Sequence, residues 1–510
     1  MAKYYVQVEA VNLTHMVYDT HDISTIRGGS FLLLAVIRRL AHHFADRLEK
    51  ITTAASQGLF AVKEGIDIGG IEVEILDFLC QETASHATFL VAIEPDLPNN
   101  FSGVLERLQA QIRRKQWRMP TIAIPEYAEA EAECFLDGWR PGTMDYSVDG
   151  RETGAKISAA TKFRREQGVR LKHDLLRRIL GDRTYDDALN AKDLGELAAH
   201  SGMGVLDGKI AYIHVDGNSF GRIKRALCTT PEIRRAFDEQ IQAGCREPFL
   251  RELLSQIDND DDFLTQDRNG KQARRLEVLL WGGDEMTLIV PAWCGWQVLD
   301  LYYQHAQNLI FEGVALSQRA AIVFCHHNTP ILQIRRIAEE LVGQAKKDIK
   351  NGIKSTVESA DEFAGMSKKD KDEVIARLSD YPNHRDGNAI HYLALESFDM
   401  LRGSLGDFLN KYYKKAAFEK LLVYAEGMKT TLDHLHLIQA NVPRGKILKV
   451  IDALQNGSRE QVGPLQKEML ASVAPNRRAQ VSAAFENIVA EYDHWYWIAD
   501  LWDYVPEWKA

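Results

Sequence analysis

One short segment constrains this sequence more than any other, because two apolar runs meet at Gly282-Gly283-Asp284-Glu285. The surrounding stretch, RRLEVLLWGGDEMTLIVPAW, spans residues 274–293. Two such runs joined through a pair of glycines are typical of a β-hairpin. We therefore expect Asp284 and Glu285 to lie just past the tip of a hairpin, where the flanking strands hold both carboxylates in place.

A further acidic residue, Asp216, ends an apolar strand. Residues 208–227, GKIAYIHVDGNSFGRIKRAL, read as a strand, a glycine-containing turn and the start of a helix. A carboxylate at the end of such a strand is costly to bury unless it is paired or bound to a metal. A strand-end aspartate beside an acidic hairpin suits two Mg²⁺ ions, since Mg²⁺ prefers carboxylate oxygens together with substrate phosphates. Two such ions activate an attacking hydroxyl and stabilise the leaving oxygen, so these residues predict a nucleotidyl-transfer site.

The turn after Asp216 supplies the second requirement of such a site. Gly217 and Gly221 let main-chain N–H groups approach a triphosphate at the start of a helix, whose dipole favours anions. Lys346, within a helix predicted over 331–350, is a candidate clamp for the phosphates. Each feature alone also has a structural explanation: a tight turn with solvated acids, a turn aspartate, or a lysine near a helix C-terminus. Their order within a single βα…ββ…αβα unit favours the functional interpretation.

The rest of the chain predicts a mixed architecture. In the first 130 residues the patterns predict strands at 4–11, 71–79 and 87–96, and helices at 30–48 (after Gly28-Gly29) and 104–117. Turn-forming residues predict a loop over 137–150, and 161–180 is typical of a basic helix. Farther along we expect a helix at 296–313, strands at 316–330 and 388–398, a charged insertion at 351–386 and a helical pattern from about 400 to the end.

The composition narrows the class of protein. The chain has 510 residues, of which 45% are hydrophobic and 9% aromatic, so it can build a large core and is not disordered over most of its length. Its net charge of −10 disfavours a general nucleic-acid-coating protein. Basic segments at 113–118 and 162–172 suit either a guide RNA, a nucleotide or an acidic partner, or else a solvated helical face.

The cysteine pattern and the apolar runs bear on the compartment. The six cysteines are scattered without a CxxC pair, which favours a reducing compartment and suggests neither a disulfide framework nor a zinc ribbon. The apolar run at 31–37 is too short to span a bilayer, and the first residues read as a strand rather than a signal peptide. We expect a cytoplasmic protein with no membrane partner.

The motifs resemble a known family when they are taken in order. VDGNSFG, LLWGGDEMTLIVP, LSQRAAIVFCHHNTPI and RIAEELVGQAKK, over about 208–350, resemble the catalytic palm of the Cas10/Cmr2 proteins of type III CRISPR systems. More distantly they resemble GGDEF diguanylate cyclases and class III nucleotidyl cyclases. The segment IRGGSFLLLAVIRRL looks like the first, non-catalytic palm of the same family. The resemblance implies an α+β fold with two ferredoxin-like palm domains, linker helices and an all-α C-terminal domain.

The resemblance also implies a domain order. It places a degenerate palm-like domain at 1–130, a linker with a helical segment at 131–200, the catalytic palm with its GGDE motif at 201–400, and a helical domain at 401–510.

Specific residue roles follow from the same resemblance. Asp216, Asp284 and Glu285 would be catalytic and would hold two Mg²⁺ or Mn²⁺ ions, with the Gly217 carbonyl as a further ligand. Ser317 and His326 are expected near the nucleotide by position, without assigned chemistry. The implied nucleotide-binding residues are Gly217, Asn218, Ser219, Phe220, Gly221, Gly282, Gly283 and Lys346.

The implied reaction joins a ribose hydroxyl to the α-phosphate of ATP or another nucleoside triphosphate and releases pyrophosphate. The product would be a cyclic or short oligonucleotide messenger in antiviral defence. The expected partners are the triphosphate, CRISPR-type protein subunits, a guide or target RNA, and a second copy of the chain. Two alternatives stay open: a non-catalytic scaffold that binds nucleotide or RNA, and a homodimeric mononucleotide or dinucleotide cyclase.

Three departures from the family pattern indicate a reduced relative. The motif reads GGDE rather than GGDD, and the longer side chain of Glu285 changes the metal geometry that the site can offer. No N-terminal HD nuclease domain is expected, since His21-Asp22 falls in a loop after the first strand. Cys134 has no nearby cysteine partner, although the stretch 134–142 lies where the family often carries a zinc-binding linker.

Overall fold

The chain forms two compact units, each built from several segments of the sequence. The structure is a computed structural model. The first unit comprises residues 1–187, 219–248 and 278–287, and the second comprises 188–218, 249–277 and 288–510. The structure describes residues 4–54, 56–119, 132–148, 151–181, 190–266, 270–344, 366–372, 387–396, 404–413, 422–489 and 495–505.

The first unit contains a four-stranded sheet covered by helices. Its strands are β1 (Tyr4–Val11), β2 (Leu48–Thr52), β3 (Gln57–Val62) and β4 (Thr88–Pro95), in the order β2-β3-β1-β4 with antiparallel neighbours. The helices are α1 (Leu13–Val17), α2 (Ile23–His43), α3 (Ile71–Glu82) and α4 (Phe101–Arg118). With α2 after β1 and α3 after β3, this is a βαββαβ arrangement. Apolar side chains of the sheet and of α4 form one core.

The segment that follows the four-stranded sheet along the chain adds a hairpin and a long helix to the first unit. The hairpin strands are β5 (Met144–Val148) and β6 (Arg151–Ile157), and the helix α5 spans Ala159–Leu180. Ser158 caps α5 by accepting a hydrogen bond from the Thr161 amide at 3.1 Å.

A six-stranded sheet follows the order β10-β11-β7-β14-β15-β16. Its strands are β7 (Lys209–Gly217), β10 (Glu277–Trp281), β11 (Glu285–Pro291), β14 (Gln318–His326), β15 (Ala389–Ala394) and β16 (Leu422–Tyr424). Within this sheet, the order β10-β11-β7-β14 repeats the order β2-β3-β1-β4 of the smaller sheet. In both sheets the earliest strand, β7 or β1, lies between a strand of a later hairpin and the strand that follows that hairpin. The β7–β14 pair is antiparallel and the β14–β15 pair is parallel.

The other elements connect and flank this sheet. Short strands form two small ribbons, β8 (Leu264–Gln266) with β9 (Gln272–Arg274) and β12 (Ile310–Phe311) with β13 (Val314–Ala315). The helices are α6 (Leu194–Ala198), α7 (Phe220–Leu227), α8 (Pro231–Ile241), α9 (Glu247–Ile257), α10 (Gly295–Ala306) and α11 (331–344). Toward the C-terminus, helices span Leu405–Tyr413, Met428–Asn441, Arg444–Gln455, Val462–Ala471, Pro475–Ile488 and Trp495–Asp500.

The prediction of a mixed helix and sheet fold is confirmed, but the strand predicted at 71–79 is wrong. This segment is helix α3, whose buried residues Ile71, Ile75 and Leu79 recur every four positions, whereas Val73 is 60% exposed. A strand would have buried every second residue. Four-residue spacing is the helical signal, and the β-branched composition of the segment concealed it.

Other local predictions also need correction. The segment 137–150 is not all loop, because β5 begins at Met144. The helix predicted at 296–313 ends at Ala306, before a ribbon that turns at Glu312 and Gly313, both with positive φ. The region after 400 is not all helical, since β16 pairs with β15. No helix in the described part of the chain is long and apolar enough to span a membrane.

Gly28 lies inside α2 and permits a close helix contact. The prediction of a glycine segment ahead of the helix is therefore wrong, since α2 begins at Ile23. An ideal Cβ on Gly28 would lie 1.7 Å from the carbonyl oxygen of Arg164 in α5, and one on Gly168 would lie 2.0 Å from that of Ser24. Glycine at both positions lets the two backbones touch.

A turn at 134–142 is organised by a buried carboxylate. Asp137 accepts hydrogen bonds from the amides of Trp139 and Arg140, at 3.1 and 3.0 Å, and from the Thr161 hydroxyl at 2.7 Å. Burial alone would raise the pKa of Asp137, but these hydrogen bonds outweigh it and hold the pKa below its ordinary value. Cys134 is buried in the same turn, where its sulfur accepts a hydrogen bond from the Ser158 amide at 3.2 Å.

Gly28→Ala should destabilise the first unit by about 3 kcal/mol or more, because its methyl group cannot fit against the Arg164 carbonyl without separating α2 from α5. Urea unfolding followed by circular dichroism measures the change. Gly445→Ala is the matched control, since an ideal Cβ there meets no atom within 4 Å and alanine favours a helix. Equal effects of the two substitutions would contradict the close contact.

Asp137→Asn should lower the free energy of unfolding by about 2 kcal/mol at neutral pH, because the charged hydrogen bonds are lost. The pKa of Asp137 is lowered in the folded state, so its carboxylate stabilises the fold fully above the unfolded pKa of about 3.9. That contribution disappears as the pH falls through the lower folded pKa. Unfolding titrations should therefore show the two proteins converging in acid, and a constant difference down to pH 2 would count against this account.

Candidate functional site

The acidic hairpin forms where the sequence predicts it. Strand β10 ends at Trp281 and β11 begins at Glu285, and the Gly282 amide donates to the Glu285 carbonyl at 2.9 Å to close the turn. Asp284 is partly exposed and the Glu285 side chain is exposed. The two carboxylates therefore stand at a tight turn whose backbone is fixed while the side chains face outward.

A buried guanidinium holds this turn from behind. Arg246 is fully buried, and its Nη1 donates to the carbonyl oxygens of Gly282 and Glu285, the latter at 2.9 Å. Gln242 Nε2 donates to the Gly282 carbonyl as well, at 3.1 Å. The Nε and Nη2 atoms of Arg246 have no hydrogen-bond partner among the described residues. A cation without a carboxylate partner is costly to bury, so these carbonyl contacts are the interactions that keep Arg246 in place.

An irregular helical turn presents both of these donors. Residues Gln242–Arg246 form one turn of π-helix between α8 and α9. A π-turn inserts one extra residue into a helix and redirects the side chains around it, and such turns are frequent at functional sites. Here it points Gln242 and Arg246 at the same carbonyl oxygen of the hairpin. Sequence reasoning missed Arg246, because nothing local distinguishes it from an ordinary helical arginine.

A cavity of about 530 Å³ lies beside the hairpin within the first unit. Its volume falls in the range of small-molecule sites. Trp281 and Gly282 form one wall, Lys50–Ala54 at the end of β2 form another, and α2 and α8 complete it. The tip of the β2–β3 hairpin also approaches the acidic hairpin, since an ideal Cβ on Gly283 would lie 3.5 Å from the Ala54 Cβ.

The polar groups around this cavity carry both signs of charge. Arg38, His42, Lys50 and Arg235 line it together with Asp238, Glu239 and Glu247. Some of them hold the walls together: the Thr52 hydroxyl hydrogen-bonds the Asp238 carboxylate, and Arg235 pairs with Glu49 at 2.8 Å. Lys50 and Arg38 make no such contact within the described part of the chain, so their charges are available to a ligand.

Asp216 lies in the second unit, one residue before the end of β7. The strand register sets it directly opposite Arg319 of β14, so the two side chains lie on the same face of the sheet. Arg319 is buried. The sequence could not predict this neighbour, because the register depends on the pairing of two strands about 100 residues apart.

The turn after Asp216 is anchored to the start of β14. The buried Asn218 donates through Nδ2 to the Ser317 hydroxyl at 2.9 Å and to the Gly387 carbonyl at 2.7 Å, and its amide donates to the Ser317 carbonyl at 3.0 Å. Ser317 therefore lies at the turn that follows Asp216. The N–H donors of Asn218, on the side chain and on the main chain, all hold the backbone in place, so none of them is left for a phosphate.

The remaining predicted residues of this turn differ in what they can contact. Ser219 has φ +54° and precedes α7, and an ideal Cβ on Gly221 meets nothing within 4 Å, so the surface in front of Gly221 is open. The Phe220 side chain is buried and packs edge to face on Phe237, with ring centroids 5.6 Å apart. Of Phe220, only the backbone is therefore available to a nucleotide.

One predicted neighbour of the nucleotide does not lie at this turn. His326 pairs with Lys209 at the other end of β7 from Asp216, so the expectation that it lies near the site is wrong. Seven residues of extended strand separate the two ends by roughly 23 Å. Lys346 lies outside the described residues.

Carboxylates are the correct donors for Mg²⁺, but they do not form a preassembled cage. Among the described residues, no group of three or more histidine, cysteine, aspartate or glutamate side chains is arranged to hold a metal ion. Mg²⁺ is commonly held by one or two carboxylates together with substrate phosphates and water. The Asp284–Glu285 pair therefore suits an ion that arrives with a nucleotide better than a resident structural ion.

Comparisons with known proteins give only distant similarities. No family model matches the chain, and no curated protein matches it. Among solved structures, a Csm1–Csm4 cassette in complex with pppApApA has a TM-score of 0.47 and 13% identity, covering 98% of this chain and 69% of that one. A Csm1–Csm4 cassette in complex with AMPPNP has a TM-score of 0.42 and 13% identity, covering 68% and 53%. Csm1 of T. onnurineus has a TM-score of 0.41 and 13% identity, covering 68% and 52%.

The chain therefore spans about half the length of the AMPPNP-bound and T. onnurineus proteins that it resembles.

Arg246→Gln should loosen the acidic hairpin, since one donor to two buried carbonyls is lost. We expect a loss of about 3 kcal/mol in the free energy of unfolding. We also expect faster amide hydrogen exchange in peptides that cover 278–291. Arg225→Gln, at an exposed position of α7, is the matched control and should change neither quantity. Unchanged exchange in the hairpin of the Arg246 variant would show that the clamp does not order the turn.

Proposed function

We propose that this chain is a metal-dependent nucleotidyltransferase of the Cas10 type, which joins a ribose hydroxyl to the α-phosphate of a nucleoside triphosphate and releases pyrophosphate. One observation carries the proposal: an acidic Gly-Gly-Asp-Glu turn is clamped through its own carbonyls beside a cavity large enough for a nucleotide. A turn used only to reverse the chain has no need of a buried arginine behind it or of a cavity beside it.

The strand orders support the proposal of two palm domains. The smaller sheet and the first four strands of the larger sheet both follow the order second, third, first, fourth. In the larger sheet, the first strand carries Asp216 and the third begins with Glu285. The proposed catalytic palm therefore has its acidic residues where strands begin or end, and the proposed degenerate palm has Ala54 at the corresponding hairpin tip.

Each carboxylate has a proposed role. Asp284 and Glu285 would hold divalent ions that accompany the triphosphate, and Asp216 would complete the set with the Gly217 carbonyl. When bound, such ions neutralise phosphate charge and lower the pKa of the attacking hydroxyl. The chain's own contribution is to fix the turn through Arg246, so that the carboxylates need no reorganisation when substrate arrives.

Two features of the first unit would bind the phosphates of the substrate. Lys50 offers a cationic group to phosphates in the cavity. Gly221 borders open space in the first turn of α7, where the helix dipole favours an anion. Adenosine triphosphate is the substrate that we propose first. CRISPR-type subunits, RNA and a second copy of the chain are proposed partners.

Incubation with each of the four nucleoside triphosphates and Mg²⁺ or Mn²⁺ tests the activity. We expect pyrophosphate release and an oligonucleotide product by mass spectrometry, most strongly with ATP. Asp284→Ala should reduce turnover at least 100-fold without unfolding the protein, because the side chain is partly exposed and only its ligand contacts are lost. Glu64→Ala, at an exposed position of the same unit, is the control and should keep full activity.

If none of the four triphosphates gives pyrophosphate or product, either alone or with candidate RNA, the result would favour the non-catalytic scaffold. A cyclic mononucleotide as the sole product would favour the homodimeric cyclase. Turnover that survives in Asp284→Ala would show that the hairpin is not the reaction site.

A further inference from the structure

A buried cation lies beside Asp216, the acidic residue near the end of β7. The register of β7 and β14 sets Asp216 directly opposite Arg319, which is 4% exposed. The Cβ atoms of two residues opposite each other in an antiparallel pair lie about 4.5–5.5 Å apart on one face of the sheet. The Arg319 guanidinium is therefore within reach of the Asp216 carboxylate. Both residues belong to the second unit.

The strand that carries Arg319 is fixed on both edges. β14 pairs with β7 on one side and with β15 on the other, where Arg319 lies opposite the uncharged Ala389. At the preceding position, the Gln318 amide donates to the Asn388 side chain at 2.8 Å, and the Gln318 carbonyl accepts from the Tyr303 hydroxyl at 3.0 Å. The backbone therefore keeps the Arg319 side chain at the end of β7.

The other acidic position offers an ion a different electrostatic environment. Asp284 is partly exposed, and within the described part of the chain its side chain makes no hydrogen bond and no ion pair. Arg246 behind that hairpin donates to backbone carbonyls rather than to a carboxylate. At Asp216, by contrast, a divalent ion would approach a guanidinium that is withdrawn from water, and two positive charges repel more strongly where water screens them less.

We propose that Arg319 makes the two ion positions unequal. A divalent ion binds at Asp284 and Glu285 without nucleotide, whereas an ion binds at Asp216 only together with the triphosphate. This inference rests on the proposed function. Arg319 acts as a positioning residue: its charge holds the Asp216 carboxylate in place while no ion is there, and it repels a second ion until phosphate oxygens add negative charge. The chain would therefore complete its pair of metal ions only when the substrate is present.

Titration of the full chain with Mn²⁺, followed by electron paramagnetic resonance, counts the bound ions. We expect one Mn²⁺ per chain without nucleotide and two in the presence of one equivalent of AMPPNP, after subtraction of the spectrum of Mn²⁺ with AMPPNP alone. Arg319→Gln should bind the second Mn²⁺ at least tenfold more tightly without nucleotide, because the repelling charge is gone. Asp216→Asn added to this variant should remove the second ion.

Two further variants separate the charge of Arg319 from its packing. Arg319→Lys keeps a positive charge and should keep the wild-type count of ions. Arg275→Gln is the matched control for the loss of a buried arginine, since Arg275 is 3% exposed in the same unit and donates to the carbonyls of Leu264 and Leu197, at 2.9 and 2.7 Å. It should also leave the count unchanged. Tightening of the second Mn²⁺ by Arg275→Gln as much as by Arg319→Gln would overturn the inference.

Single substitutions of the acidic residues keep the test decisive if Arg319→Gln does not fold. Asp284→Asn should remove the Mn²⁺ that binds without nucleotide, and Asp216→Asn should remove only the one that binds with AMPPNP. Two ions bound by the wild-type chain without nucleotide would overturn the inference. So would loss of the first ion in Asp216→Asn, or unchanged Mn²⁺ affinity in a folded Arg319→Gln variant.

The outcomes separate this inference from the proposed reaction. Turnover of a triphosphate that depends on Asp284, with two ions already bound before the nucleotide, would leave the nucleotidyltransferase standing and reject the role of Arg319. Ordered binding of two ions that depends on Arg319, without turnover of any triphosphate, would do the reverse.

Discussion

The candidate site depends on one buried cation that has backbone carbonyls as its partners. Arg246 has lost contact with water, and the carbonyl oxygens of Gly282 and Glu285 are the acceptors that hold its guanidinium. The same two carbonyls define the turn that carries Asp284, so the position of the acidic residues and the burial of Arg246 stabilise each other. Gly282 also forms the wall of the adjacent cavity. A shift of the π-helical turn would therefore move the acids and reshape the ligand space together.

Local patterns in the sequence predict those elements whose signals are local. The strand, turn and helix around Asp216, the acidic hairpin, and helices α4 and α5 follow from apolar spacing and glycines. The prediction of a strand at 71–79 was wrong because the β-branched residues of this segment favour a strand. The four-residue repeat that marks it as a helix is seen in which of its residues are buried. Gly28 was misplaced for a related reason. A glycine pair normally interrupts a helix. Here Gly28 lies inside α2, because the backbone of Arg164 is too close to leave room for a side chain.

The candidate site was only partly predictable, because much of it depends on contacts distant in sequence. Asp284 and Glu285 were found from the hairpin that contains them. Arg246 contacts that hairpin from about 40 residues away, and Arg38 reaches the wall at Trp281 from a helix far earlier in the chain. The position of Asp216 opposite Arg319 depends on the register of two strands that are distant in sequence, so local patterns do not predict it. His326 illustrates the opposite error, since nearness along a motif does not show at which end of a strand a residue lies.

The central claim is that the clamped hairpin holds a nucleotide through a divalent ion. The most direct measurement is a crystal structure of the chain grown with Mn²⁺ and AMPPNP, in which anomalous scattering locates the manganese. We predict a manganese peak bonded to the Asp284 carboxylate and to phosphate oxygens of the nucleotide, with Arg246 still on the carbonyls of Gly282 and Glu285. A well-ordered nucleotide with its manganese bound elsewhere, and a hairpin free of metal, would contradict the account.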